Sequence, residues 1–301
     1  NLFYEHVLDW GGFCSSLARL IAGARGRPVL LTETGVHTLH AEETQATRTL
    51  KQSIACALLH PELAGVGVYE YCDEWQLKGK PDVHDDTSPA EHYGLVTADR
   101  KPKPTYAAAA EMLGLIAKYE RVFQEWQAPP TVYVSQQDLD WWRIGGDEGS
   151  FHERVARQLY RKGVAFQFLD AEGLQELDPQ RHPRLILCDS YLAVNPDGSG
   201  DVLGRVLSYL QHGGKLLYIT RMPWERLYGR GTVPAELKPS ADRAPVVRKY
   251  GTGEITLVPT YTLDDRQLHH LLDDFLADAL ENRPVVSVEP VGGNGEVFWR
   301  V

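Results

Sequence analysis

Residues 27–35 read RPVLLTETG. Pro28 opens an apolar run, Val29 to Leu31, and Thr32, Glu33, Thr34 and Gly35 close it. A short continuous apolar run ended by a turn signal predicts a strand buried on both faces, as in a parallel sheet flanked by helices. Such a strand constrains the chain strongly, because it needs a covering layer on each side. Glu33 stands at its C-terminal end. A carboxylate buried there is costly without partners, whereas parallel α/β barrels carry their sites at that end. Glu33 is therefore either a turn or helix-capping residue or a site residue.

The neighbouring segments repeat the pattern. Phe13, Leu17, Leu20 and Ile21 fall on one helical face, and Gly23 and Gly26 are expected to stop that helix. Glu42–His60 carries Ala46, Leu50, Ile54 and Ala57 at helical spacing, with Pro61 and Gly65 behind it. Val66–Tyr71 reads as a second strand and runs into Cys72-Asp73-Glu74-Trp75, again acidic and aromatic at its C-terminal end. A polar loop, Lys78–Glu91, leads to the apolar Tyr93–Val96, a charged turn Asp99–Pro104, and a helix from Thr105 to about Tyr119 with Tyr106, Leu113 and Ile116 as its buried side. Strand–helix alternation of this kind belongs to a β/α barrel or an open parallel sheet.

Ala128-Pro129-Pro130 marks a boundary, so the expected domains are 1–127 and 131–301. Beyond it, strands are expected at Thr131–Ser135, Ala165–Leu169, Arg184–Leu187, Lys215–Thr220 and Glu254–Pro259, and helices at Phe151–Lys162, Val202–Leu210 and Leu263–Leu280. Val285–Val288 and Glu296–Val301 suit a closing hairpin, and Pro223–Arg248 reads as a long loop. This second alternation predicts an open flavodoxin-like sheet with helices on both faces.

The 301 residues suffice for two domains. A net charge of −10 excludes nucleic acid as the expected partner, since phosphate binding needs basic surface. No apolar run approaches the roughly 20 residues of a membrane span, and Asn1–Trp10 lacks the pattern of a secretory signal. The four cysteines, Cys14, Cys56, Cys72 and Cys188, form no CxxC pair, which points to reduced thiols and a cytoplasmic location. No metal is expected: His269 and His270 are adjacent and diverge on a helix, and His84-Asp85-Asp86 reads as a solvated acidic turn. The 7 Trp and 14 Tyr suit either sugar stacking or a large α/β core.

Four stretches, in order, resemble the last quarter to third of the barrel of the retaining glycoside hydrolases of the large clan that includes families 2, 5 and 42. Asn1-Leu2-Phe3-Tyr4 is similar to the end of the sixth strand, and Pro28–Gly35 to the seventh strand with its nucleophile motif. Gly67–Trp75 is similar to the eighth strand, whose aromatic residue floors the sugar site, and Tyr93–Tyr106 to the stretch leading into the last helix. The resemblance implies a partial (β/α)8 barrel acting on β-glycosides such as β-galactosides. It makes Glu33 the nucleophile that forms a glycosyl-enzyme intermediate. Tyr4 would hydrogen-bond that nucleophile, or merely pack. Tyr69 stands where the clan usually has Trp, and would be a smaller platform under the sugar ring. Trp75, Asp73 and Glu74 would contact further sugar units or lie in a solvated loop.

The clan's acid/base is a Glu following an Asn at the end of the fourth strand, and no counterpart precedes Asn1. Retaining hydrolysis needs two carboxylates roughly 5–5.5 Å apart. The expectation is accordingly a C-terminal portion of a longer enzyme, with the missing barrel segment elsewhere. Glu5, Glu70 and Glu74 are the alternative second acids, none with a motif behind it. The rival expectation is a degenerate barrel that binds sugar or assembles subunits.

The second region, with Gly213–Tyr218 as its best local match, resembles the glutamine-amidotransferase-like trimerisation domain that follows the barrel in family 42. Its strand Lys215–Thr220 leads to Arg221-Met222-Pro223 without the amidotransferase cysteine elbow, and Cys188 lacks flanking glycines, so a buried core thiol is expected. The loop Gln136–Trp142 carries Asp138 and Asp140, which would repel a flavin phosphate, so no cofactor is expected. Trp141 and Trp142 are placed at a domain interface, over the barrel mouth, or against another subunit of a dimer or trimer.

Overall fold

The computed structural model describes residues 10–25, 27–39, 42–60, 62–73, 92–124, 129–135, 151–188, 202–220, 245–259, 263–280, 287–290 and 297–300. The chain forms two compact units, one built chiefly on Pro28–Glu125 and the other on Trp126–Val288.

Helix α1 spans Trp10–Ala24 and buries Phe13, Leu17 and Ile21, three of the four residues expected on its inner face. It ends at Ala24, between Gly23 and Gly26 as expected, and Arg25 takes a left-handed conformation at φ 54, the usual way of closing a helix C-terminus.

In the first unit, β1 (Val29–Thr34) is followed by α2 (Glu43–Ala57), β2 (Leu63–Val68) and α3 (Pro104–Gln124). β1 and β2 run parallel, paired from Val29 with Leu63 to Thr34 with Val68. β2 thus starts three residues earlier than the sequence suggested and ends at Val68 rather than Tyr71, because its pairing with β1 sets its length. Helix α2 buries Ala46, Leu50, Ile54 and Ala57, the residues its periodicity singles out. Helix α3 begins on Pro104, whose missing N–H costs nothing at a first turn.

Two expectations for this unit fail. Tyr106 and Leu113 are not the buried side of α3; they are 41% and 43% exposed, and Ala108, Ala109 and Met112 are buried instead. The helix turns its small residues inward, which lets it lie close to its neighbour α2. Nor is the β1–β2 pair covered on both faces. Leu31 is fully buried, whereas Leu30 beside it is 62% exposed and most of β2 is only half-buried. Among the described residues no third strand joins this pair.

The second unit is a six-stranded sheet. Its elements are β3 (Thr131–Tyr133), α4 (Phe151–Arg161), β4 (Gln167–Leu169), β5 (Arg184–Cys188), α5 (Val202–Gln211), β6 (Lys215–Thr220), β7 (Val246–Tyr250), β8 (Gly253–Pro259) and α6 (Asp265–Leu280). The strand order is β4-β3-β5-β6-β8-β7, parallel throughout except for β7. Without β7 this is the doubly wound order 2-1-3-4-5. The end of the stretch expected to be a loop is a strand. Val246–Tyr250 folds back on β8 as an antiparallel edge, with half-buried and exposed residues alternating. The core on one side of the sheet joins Tyr133, Leu185, Leu187, Leu216, Tyr218, Ile255 and Leu257 to Val206, Tyr209 and Leu210 of α5. On the other, Val155 and Leu159 of α4 and Leu268, Leu272 and Leu276 of α6 are buried, and Lys162 pairs with Asp273 between these helices. β9 (Ser287–Pro290) and β10 (Val297–Arg300) pair as a separate two-stranded sheet, close to the expected hairpin. Among the described residues no helix is long and apolar enough to cross a membrane.

Candidate active site

The candidate site is built at the C-terminal end of β1. Glu33 is the penultimate residue of that strand and is half-buried. Its Oε2 is fully buried, with no hydrogen-bond donor among the described residues. Buried carboxylate oxygens nearly always have a donor, because desolvating one without compensation is costly. An oxygen held this way is set to accept a bond from a group brought to it.

The backbone around Glu33 is fixed tightly. The Tyr69 amide donates to the Thr34 carbonyl at 2.8 Å, carrying the β1–β2 pairing past the last strand residue. Gly67 and Gly35 make this approach possible. A Cβ on Gly67 would lie 2.4 Å from the Thr32 carbonyl oxygen, and one on Gly35 would lie 1.9 Å from that of Tyr69. No side chain fits at either position, so the ends of the two strands meet backbone to backbone beside the carboxylate. The Tyr69–Glu70 peptide is cis.

An aromatic group lies next to this junction. The Tyr69 ring meets Tyr93 edge-on with centroids 5.8 Å apart, and His37 meets the same Tyr93 ring at 5.5 Å. Tyr93 and His37 are buried and Tyr69 is half-buried. Edge-to-face contacts of this sort fix ring orientation. Tyr69 therefore stands at the strand end with its ring braced from behind.

Asp73 is neither solvated nor open to a ligand through both oxygens. Its Oδ1 accepts from Lys103 Nζ at 2.5 Å and from the Gly94 amide at 2.8 Å. The pair is buried, with side chains 12% and 8% exposed. Lys103 also donates to Thr38 Oγ1 at 3.2 Å and to the His92 carbonyl at 3.4 Å. One ammonium thus ties together the segment after β1, the segment after β2 and the stretch leading into α3. The sequence reading put Lys103 in a charged turn. Asp99, Arg100 and Lys101 do form that exposed turn, but Lys103 points inward, drawn by Asp73. The only signal for this was a second lysine between two prolines.

Tyr4, Glu5, Glu74, Trp75, Trp141, Trp142, the loop Gln136–Trp142 and His84–Asp86 lie outside the described residues. Glu70 follows Tyr69 at the end of β2, its amide donating to the Tyr93 carbonyl at 3.3 Å. In the second unit, Cys188 is fully buried at the end of β5. Among the described residues no three His, Cys, Asp or Glu side chains group as a metal site.

No family model and no curated protein matches the chain. Solved structures do match. A catalytic mutant of Gan42B, a GH42 β-galactosidase from G. stearothermophilus, is 13% identical, with a TM-score of 0.56; the match covers 96% of this chain and 49% of that one. The β-galactosidase from Bacillus circulans sp. alkalophilus is 11% identical with a TM-score of 0.58, over 96% of this chain and 50% of that one. The chain thus spans about half the length of these structures, and at such identities the likeness is one of fold: an α/β chain similar to glycoside hydrolases of the TIM-barrel kind.

Proposed function

We propose that the chain is the C-terminal portion of a retaining glycoside hydrolase acting on β-glycosides, β-galactosides foremost, with Glu33 as its nucleophile. The observation that carries this reading is the Glu33 carboxylate, held at the C-terminal end of a parallel strand with Oε2 buried and lacking a donor among the described residues. In this reading Glu33 attacks the anomeric carbon and forms an ester as the glycosidic C–O bond breaks. A second carboxyl group, supplied from outside this chain, protonates the departing oxygen. That group then takes a proton from a water whose oxygen bonds to the anomeric carbon as the ester bond to Glu33 breaks, which releases the sugar with its original configuration. Tyr69, braced by Tyr93, would sit under the sugar ring, and Tyr4 and Trp75 would add contacts. Asp73 would act through Lys103 by fixing the loop that follows Tyr69. The open face of the β1–β2 pair and the half-length match to the β-galactosidases both support a missing barrel segment that covers Leu30. The second unit would be the amidotransferase-like assembly domain of a dimer or trimer in the cytoplasm, and its buried Cys188 supports a role without thiol chemistry.

The experiment is kinetic. In the protein joined to its remaining barrel, Glu33→Gln should lower kcat on an aryl β-galactoside by more than about 10³-fold, since removing a nucleophile disables both steps. Sugar binding without any turnover in the unsubstituted protein would favour a non-catalytic sugar-binding or assembly module instead.

A further inference from the structure

Tyr93 joins two rings that come from different strands. His37, four residues past Glu33 in the segment after β1, meets it edge-on with centroids 5.5 Å apart and planes at 73°. Tyr69, just past the end of β2, meets the same ring at 5.8 Å and 64°. His37 and Tyr93 are 4% and 8% exposed. The Tyr93 ring also lies against Gly35, where a Cβ would stand 3.3 Å from its Cδ1.

Holding the strands together does not call for this group. β1 and β2 already meet backbone to backbone, through the Tyr69 amide and the Thr34 carbonyl. Nor does filling the core, since a polar imidazole is costlier to bury than an aliphatic side chain. What the rings add is direction. An edge-to-face contact fixes the tilt of each ring relative to its neighbour, which aliphatic packing does not. Backbone bonds hold the ends of the group. The Glu70 amide donates to the Tyr93 carbonyl at 3.3 Å, and the Leu95 amide to the Glu70 carbonyl at 2.9 Å. On the β1 side, the Thr38 amide and hydroxyl both donate to the His92 carbonyl, at 3.1 and 3.3 Å. The tilt of Tyr69 is thereby referred, through Tyr93, to the strand that carries Glu33.

We infer that Tyr93 and His37 are positioning residues: they set the tilt of the Tyr69 ring relative to Glu33, and so align a bound sugar for attack rather than add to its affinity. The inference rests on the hydrolase reading for what Tyr69 carries. The relay from ring to ring stands apart from that reading.

The test is the rate at which an activated 2-deoxy-2-fluoro-β-galactoside labels Glu33 in the full chain, split into an apparent dissociation constant and a maximal rate. Tyr93→Leu should lower the maximal rate about tenfold and raise the dissociation constant less than about threefold, since misalignment acts on the reacting geometry. Tyr93→Phe, which keeps the ring, should restore the rate to within about twofold of the parent. His37→Gln, a milder change, should lower the rate about threefold. In a Tyr69→Ala background these losses should vanish, because they act through that ring. Losses that persist there, or a loss confined to affinity, overturn the positioning role. The relay also has a readout that needs no sugar. In the chain labelled with 3-fluorotyrosine, the fluorine NMR signal missing from Tyr69→Phe belongs to Tyr69. His37→Gln should shift that signal, and an unmoved signal overturns the relay. A shifted signal in a chain that is never labelled by the fluorosugar removes the hydrolase reading alone. Labelling that ignores both Tyr93 and His37 removes the positioning role alone.

Discussion

A single ammonium group ties together the segments that follow β1 and β2. Lys103 holds Asp73, Thr38 and the His92 carbonyl at once, and Asp73 in turn takes the Gly94 amide. Removing one partner of a buried ion pair strands the other without water, which costs about 3–5 kcal/mol. Lys103→Met should therefore lower the unfolding free energy by about that amount in a urea titration. Adding Asp73→Asn should recover most of the loss, because the amide keeps an acceptor for Gly94 and carries no charge. A single-variant loss under about 1 kcal/mol, the range of exposed pairs, would mean that water reaches the pair. None of this was legible in the sequence. The partners lie 30 residues apart, and each sits in a run of charged residues that reads as solvated surface. The position of Glu33 at the end of β1 was legible, because the apolar run that forms the strand ends there.

The elements show what periodicity conveys and what it misses. Helix α2 was legible because its inward stripe includes Leu50 and Ile54, which no solvated face would carry. Helix α3 was misread by the same rule. Its buried positions are Ala108, Ala109 and Met112, and alanine contributes little to an apolar pattern although it allows close helix packing. The large residues Tyr106 and Leu113 drew the eye to the opposite face. The assignment has a direct check in thermal or urea unfolding. Met112→Ala should cost about 2–5 kcal/mol, as a core truncation does. Leu113→Ala should cost well under half of that, since its side chain is already in contact with water. Equal costs would place both residues in the core. In the second unit the alternation of strands and helices was legible, but β7 was not, because Val246–Tyr250 closes a segment rich in proline, glycine and charge and pairs only at the sheet edge.

At the scale of the molecule, stability and the candidate chemistry are controlled from opposite ends of the same strands. Glu62 precedes β2, and its carbonyl accepts from the Val29 amide at the start of β1. Burial raises its carboxyl from 4.5 to about 7, and Oε2 has no donor among the described residues. An acid whose folded value is raised favours the folded state only while it keeps its proton. The stabilisation is complete below the unfolded value of 4.5 and is lost as pH rises through about 7. Unfolding free energy should accordingly fall by about 3 kcal/mol between these limits, and Glu62→Gln should flatten the profile, with Glu33 chemistry untouched. The account as a whole rests on the opposite end of β1. Its most direct test is incubation of the protein with an activated 2-deoxy-2-fluoro-β-galactoside, whose leaving group departs without an acid, followed by mass spectrometry of its peptides. A fluorogalactosyl ester on the peptide containing Glu33 is the predicted result; an ester on another carboxylate, or none in a protein that binds galactosides, would contradict it.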